Sequence, residues 1–147
     1  MARLLNNMSE SQFSRVKEST KYKKLIFSLV WFHAVLLERR KFKTLGWNKP
    51  YDFNDSDFEI CENIVAMYLD EYPQEIPWEA IRYLIAEANY GGRVTEAPDN
   101  RLLRVYVNEF FSPAALQPKF MFSSLPTYYI PDEGEYSMVH GWQCYLF

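Results

Sequence analysis

The chain has 147 residues, of which 48% are hydrophobic and 18% aromatic, with a net charge of -3 and only five glycines. That length suits a single domain around one core, and so few glycines argue against a barrel or sandwich built on many tight turns. The two cysteines form no CxxC pair, no secretory signal opens the chain, and no apolar run reaches the roughly 20 residues that a bilayer crossing requires. These features fit a reducing compartment and exclude a membrane span.

In chain order, residues 1–20 place Leu4, Leu5, Met8, Phe13 and Val16 at spacings that suit a short helix, with Ser9 or Ser11 as caps. Residues 25–37, LIFSLVWFHAVLL, are apolar around the whole circumference of a helix. Such a helix has to be covered on all sides, and at this length the cover must be protein. A central helix is therefore expected from Tyr22 to about Phe42, with Trp31, Phe32 and Leu36 holding the core. Gly46 is available for a left-handed cap at its end. A loop containing Pro50 follows, and Ser56 with Glu59 fits the capping box of a second helix carrying Phe58, Ile60, Ile64, Met67 and Leu69. Pro73 and Pro77 bracket a turn, with Pro77 suited to the first position of a third helix whose stripe is Trp78, Ile81, Leu84, Ile85 and Ala88. Gly91-Gly92 ends it as a cap that needs positive φ. Asp99 or Thr95 caps a fourth helix with Leu102, Leu103, Val107 and Phe110, which Ser112-Pro113 stops. Pro118, Pro126 and Pro131 then punctuate a stretch in which residues 127–130 suit a short extended piece. The expected fold is all-α: a compact bundle of four to five helices over residues 1–118, then an irregular, proline-containing tail over 119–147 with room for a short strand.

Residues 1–50 carry eleven Lys and Arg against three acids, and residues 51–147 carry five against sixteen, so +8 stands beside -11. Arg39, Arg40, Lys41 and Lys43 fall where the central helix ends, a place the helix dipole favours for cations, so this basic run does not call for nucleic acid. Lys21, Lys23 and Lys24 lie at the disfavoured end and are expected to meet acidic groups of this chain or of a neighbour.

Catalytic material is scarce. His33 sits inside the most apolar helix and reads as a hydrogen-bonded core histidine. His140 and Cys144 share an i, i+4 spacing, but a zinc site usually needs four ligands. Asp52, Asn54, Ser56 and Asp57 resemble the first half of a calcium loop, yet its sixth position is Asp57 instead of glycine and its twelfth is Asn63 instead of an acid. Gly91-Gly92-Arg93 closes a helix and lacks the Lys-Ser or Lys-Thr pair of a P-loop. With two histidines and no acid-nucleophile context, no Ser-His-Asp set can be drawn.

Six runs carry a resemblance: YKKLIFSL from Tyr22, FHAVLLERRKF from Phe32, LGWN from Leu45, FNDSDF from Phe53, IPWEAIRYL from Ile76 and NYGGRVT from Asn89. Taken in order over about residues 4–134, the sequence resembles the dynein heavy chain, most of all its axonemal, or ciliary, type. The region resembled is the helical lid, or small subdomain, of the sixth and last AAA+ module, running into the start of the C-terminal domain. The resemblance implies a non-catalytic piece of an ATP-driven, minus-end-directed microtubule motor of the cytoskeleton of cilia and flagella, which helps to close the AAA+ ring and transmit its movements. It implies no cofactor in this chain, ATP and Mg being bound by other modules. It implies neighbouring AAA+ modules as partners, with intermediate chains, light chains and microtubules reached only through the full motor, and neither nucleic acid nor membrane. Trp47, Tyr51, Trp78 and Tyr90 suit a core and a surface facing the neighbouring module equally well, and Lys23 and Lys24 join them as interface candidates. Two departures stand out. Glu96-Ala97-Pro98-Asp99 occupies the place of a more acidic run ending in Trp-Asp, and from about Glu135 the sequence is expected to leave the family, with its C-terminal domain missing. The alternative reading is a free-standing helical adaptor derived from such a lid.

Overall fold

The computed structural model describes residues 16–17 and 19–131. The helix expected before residue 16 and the pair His140 and Cys144 lie outside the described residues. Among the described residues the fold is all-α, with four α-helices: α1 (Ser19–Lys41), α2 (Asp55–Glu71), α3 (Trp78–Tyr83) and α4 (Ala97–Phe110). Two 3-10 turns, Lys43–Leu45 and Pro113–Leu116, follow α1 and α4.

The helix α1 is the axis of the molecule. Its residues are buried without a break from Lys24 to Val30, seven in a row. With about 3.6 residues per turn, such a run leaves no side of the helix open. The cover comes from α2, α4 and the Pro113–Leu116 turn, all packed on α1. Phe32 and Leu36 are fully buried, and Phe32 meets Tyr90 and Phe111 edge-on at 5.1 and 6.0 Å. Trp31 is only partly buried and lies against the segment that follows α4, stacking on Phe122 at 5.0 Å and touching Tyr128 at 5.1 Å. That segment is held by two backbone bonds, from Phe122 to the Tyr128 carbonyl and from Ile130 to the Phe120 carbonyl, and by a single antiparallel bridge between Met121 and Tyr129. The short strand expected there is reduced to this bridge. Phe122 and Ile130 are themselves buried, so residues 120–130 complete the same core.

Local chemistry corrects several expectations. The capping box of α2 is formed by Asn54 and Asp57 instead of Ser56 and Glu59: the Asn54 side chain accepts from the Asp57 N–H, and the Asp57 carboxylate accepts from the Asn54 N–H. The reason is that the extended residue, with φ -136° and ψ 175°, is Asn54. Gly46 is right-handed at φ -92°, and the left-handed position after α1 belongs to Lys43 at φ 50°. Glycine is needed at 46 for space, because a Cβ there would lie 1.7 Å from the Arg39 carbonyl oxygen. Pro77 precedes α3 as its cap residue instead of opening it, and α3 is short. It widens at once into a π turn, Leu84–Asn89, and a 3-10 turn, Tyr90–Gly92. Neither Gly91 nor Gly92 adopts a positive φ. The α4 cap is Glu96, whose side chain makes no capping bond, instead of Asp99 or Thr95.

Candidate interaction surface

Two buried carboxylates tie the loops to the helical core. Asp57, at the start of α2, is buried and accepts from Arg93 Nε at 2.9 Å as well as from the Asn54 N–H. The π turn carries Asn89 to the same place, where its amide donates to the Asp57 carbonyl at 2.7 Å and to Cys61 Sγ at 3.0 Å. One residue further, Tyr90 lies at 2.7 Å from His33 Nδ1 through its hydroxyl. His33 is thus a hydrogen-bonded core histidine, as its surroundings in the sequence suggest.

Asp99 is the second such carboxylate. Lying in the first turn of α4, where the dipole favours an anion, it accepts from the Asn48 N–H and side-chain amide and from the Tyr51 hydroxyl, the last at 2.7 Å. The loop after α1 is therefore pinned to α4. Burial raises the Tyr51 phenol above its ordinary value, and the bond to Asp99 adds to that.

Cys61 and Tyr90 have a consequence for pH. Burial lifts the Cys61 thiol from 9.0 to about 12, and burial lifts the Tyr90 phenol well above 10.0. Both groups are held neutral in the fold and ionise more readily when unfolded. Their contribution is whole below the unfolded values and drains away as pH climbs toward the folded ones. Urea titrations should show stability falling from about pH 9 upward, with a shallower fall in Cys61→Ala. A stability flat from pH 9 to 11 is the opposing result.

Of the residues expected at an interface, Trp47, Tyr51 and Tyr90 are buried in this chain's own core, and that corrects the surface reading for them. Trp47 donates from Nε1 to the Leu36 carbonyl at 3.1 Å, and Tyr51 and Tyr90 spend their hydroxyls on Asp99 and His33. Trp78 and Lys23 are partly exposed. Lys24 is buried, and its ammonium donates to the Leu116 carbonyl, as Lys21 donates to that of Pro73.

The exposed apolar side chains lie elsewhere. Phe42 and Leu45, in the turn after α1, are 60% and 88% exposed. The same turn carries a cleft of about 240 Å³ lined by Arg40, Lys43 and Lys49, together with Thr44, Trp47, Asn48 and Pro50. Sequence periodicity missed this place because the apolar pattern of α1 runs on into Phe42. The signal that marks it is the alternation of apolar and basic residues, Lys41-Phe42-Lys43, three residues before Gly46.

The described residues form a helical bundle whose loops are anchored by buried carboxylates. The family model for the dynein heavy chain AAA lid domain matches residues 22–143, and the chain belongs to that family. The match passes Glu135, beyond the point at which the sequence was expected to diverge. Among curated relatives, human dynein axonemal heavy chain 2 is 56% identical over 135 residues, and its mouse counterpart 53% identical over 135. The dynein-1-beta heavy chain of the flagellar inner arm I1 complex of Chlamydomonas reinhardtii is 52% identical over 135. Each alignment takes in 91% of this chain but 3% of the relative, so the chain spans a small part of those proteins. These relatives place it among the axonemal heavy chains of the ciliary and flagellar cytoskeleton.

Proposed function

We propose that this chain is the lid of the sixth AAA+ module of an axonemal dynein heavy chain, a subdomain that performs no chemistry and works by packing against the neighbouring module. What supports the reading is the family match across residues 22–143, joined to a fold in which both loop anchors, Asp57 and Asp99, are buried and bonded. A subdomain that passes movement between neighbours has to be stiff, since packed interiors transmit strain and do not absorb it. On this reading nucleotide and magnesium belong to other modules, and microtubules, intermediate chains and light chains are reached through the whole motor.

The test is association with an axonemal dynein ring fragment ending before its last lid, followed by sedimentation velocity and calorimetry with ATP. The chain should co-sediment with the ring at one copy per ring, and alone it should neither take up ATP nor hydrolyse it. A chain that sediments apart from the ring, or that turns over ATP alone, contradicts the proposal.

A further inference from the structure

The turn after α1 is a displayed surface held in place at the cost of a strained backbone. Lys43 sits at φ 50°, a conformation that side chains bearing a Cβ rarely adopt. Four backbone bonds fix it: Phe42 N–H to the Arg39 carbonyl, Leu45 N–H to the Phe42 carbonyl, and Gly46 and Trp47 N–H to the Lys43 carbonyl. Arg39 closes the turn from behind. Its Nε and Nη2 donate to the Gly46 carbonyl at 3.0 and 2.7 Å, its Nη1 donates to the Tyr106 hydroxyl, and its guanidinium lies over the Trp47 and Tyr106 rings. So firm a support leaves Phe42 and Leu45 in solvent, where large apolar side chains gain nothing from folding.

The charge beside them is one-sided. The cleft is lined by three cations and no acid. Arg40 is paired with Asp52 and Lys49 with Glu96, both across the surface, whereas the Lys43 ammonium has no acidic partner among the described residues. Two of the three cations are thus already half-neutralised. The remaining field suits one or two carboxylates better than a polyanion, and Phe42 and Leu45, exposed in the same turn, ask for an apolar counterpart.

We infer that the Phe42–Pro50 turn is a docking surface for an acidic protein segment carrying an exposed aromatic or aliphatic side chain, its carboxylate set against Lys43 and its apolar group against Phe42 and Leu45. The inference rests on the lid reading, in which the segment comes from the rest of the motor: relatives extend far beyond the 3% that this chain covers. It goes further in fixing which face is used and what chemistry meets it.

The experiment titrates the full 147-residue chain, labelled for amide NMR, with three probes. They are a synthetic peptide of Glu residues around a Leu-Phe pair, the same peptide with Lys replacing Glu, and inorganic pyrophosphate. The acidic peptide should shift the amides of Lys43, Leu45 and Asn48, with the lysine peptide and pyrophosphate leaving them in place. Lys43→Glu should weaken the acidic peptide about ten-fold and favour the lysine peptide. Leu45→Ala should weaken the acidic peptide while keeping the preference for acid. Both side chains are exposed, so thermal midpoints should match the wild type. Absence of shifts, shifts confined to other faces, equal response to the lysine peptide, or pyrophosphate moving the same amides would each overturn the inference. The ring association scores the lid reading by itself: a wild-type chain that joins the ring, with Lys43→Glu and Leu45→Ala joining it equally well, removes the docking surface and leaves the lid standing.

Discussion

Gly91→Ala is expected to cost this fold about 3 kcal/mol or more, while Gly92→Ala at the next position is expected to stay within about 0.5 kcal/mol of wild type. A methyl on Gly91 would meet the Ala86 carbonyl oxygen at 1.8 Å, whereas one on Gly92 would find no atom within 4 Å. The obstruction is main chain, inside the π turn that delivers Asn89 to Asp57 and Tyr90 to His33. Relief therefore requires moving the turn and breaking those bonds. Neither glycine has a positive φ, so backbone strain does not separate the two substitutions and the contrast measures space alone. Urea unfolding of both variants beside wild type reads it directly. Equal midpoints for the pair would mean that the π turn yields easily.

Phe32→Ala is the second large effect. Phe32 is fully buried at the middle of α1, with Tyr90 and Phe111 presenting edges to its ring. Removing a buried phenylalanine typically costs about 3 to 5 kcal/mol through lost transfer free energy and the cavity left behind. The cavity here opens between rings anchored on separate segments, so it cannot collapse by moving one of them, and the upper part of that range is expected. Phe42, 60% exposed in the turn after the same helix, serves as the control: Phe42→Ala should leave the midpoint within about 0.5 kcal/mol of wild type. A Phe32→Ala loss no larger than the Phe42→Ala loss would show that α1 is not the axis of the core.

The central helix was readable because its apolar residues do not form a stripe. With every side greasy, cover on every side is the only stable answer, and the unbroken burial from Lys24 to Val30 is that answer. The order of helices and their rough bounds followed from prolines, glycines and apolar spacing. The caps were misread by two residues at α2, since Asn54 and Ser56 offer equivalent side-chain acceptors and only the backbone decides which is extended. The change from α to π geometry at Leu84 left no mark in the apolar stripe. The aromatic residues set out as interface candidates misled for a different reason. Trp47, Tyr51 and Tyr90 each have a polar tip, and composition cannot tell whether that tip meets water, a partner, or a buried acceptor on the same chain such as Asp99. Nor could Asp99 be recognised as a loop anchor, because its donors, Asn48 and Tyr51, lie 51 and 48 residues away in sequence.

The proposed role, that of a stiff lid serving a motor by packing, is tested most directly by microtubule gliding. An axonemal dynein motor deleted for its last lid would receive this chain in that place, with the Gly91→Ala form grafted alongside. The wild-type chain should restore gliding and the Gly91→Ala chain should not. Gliding that stays absent with the wild-type chain folded and in position, or that returns equally with both, would contradict that role.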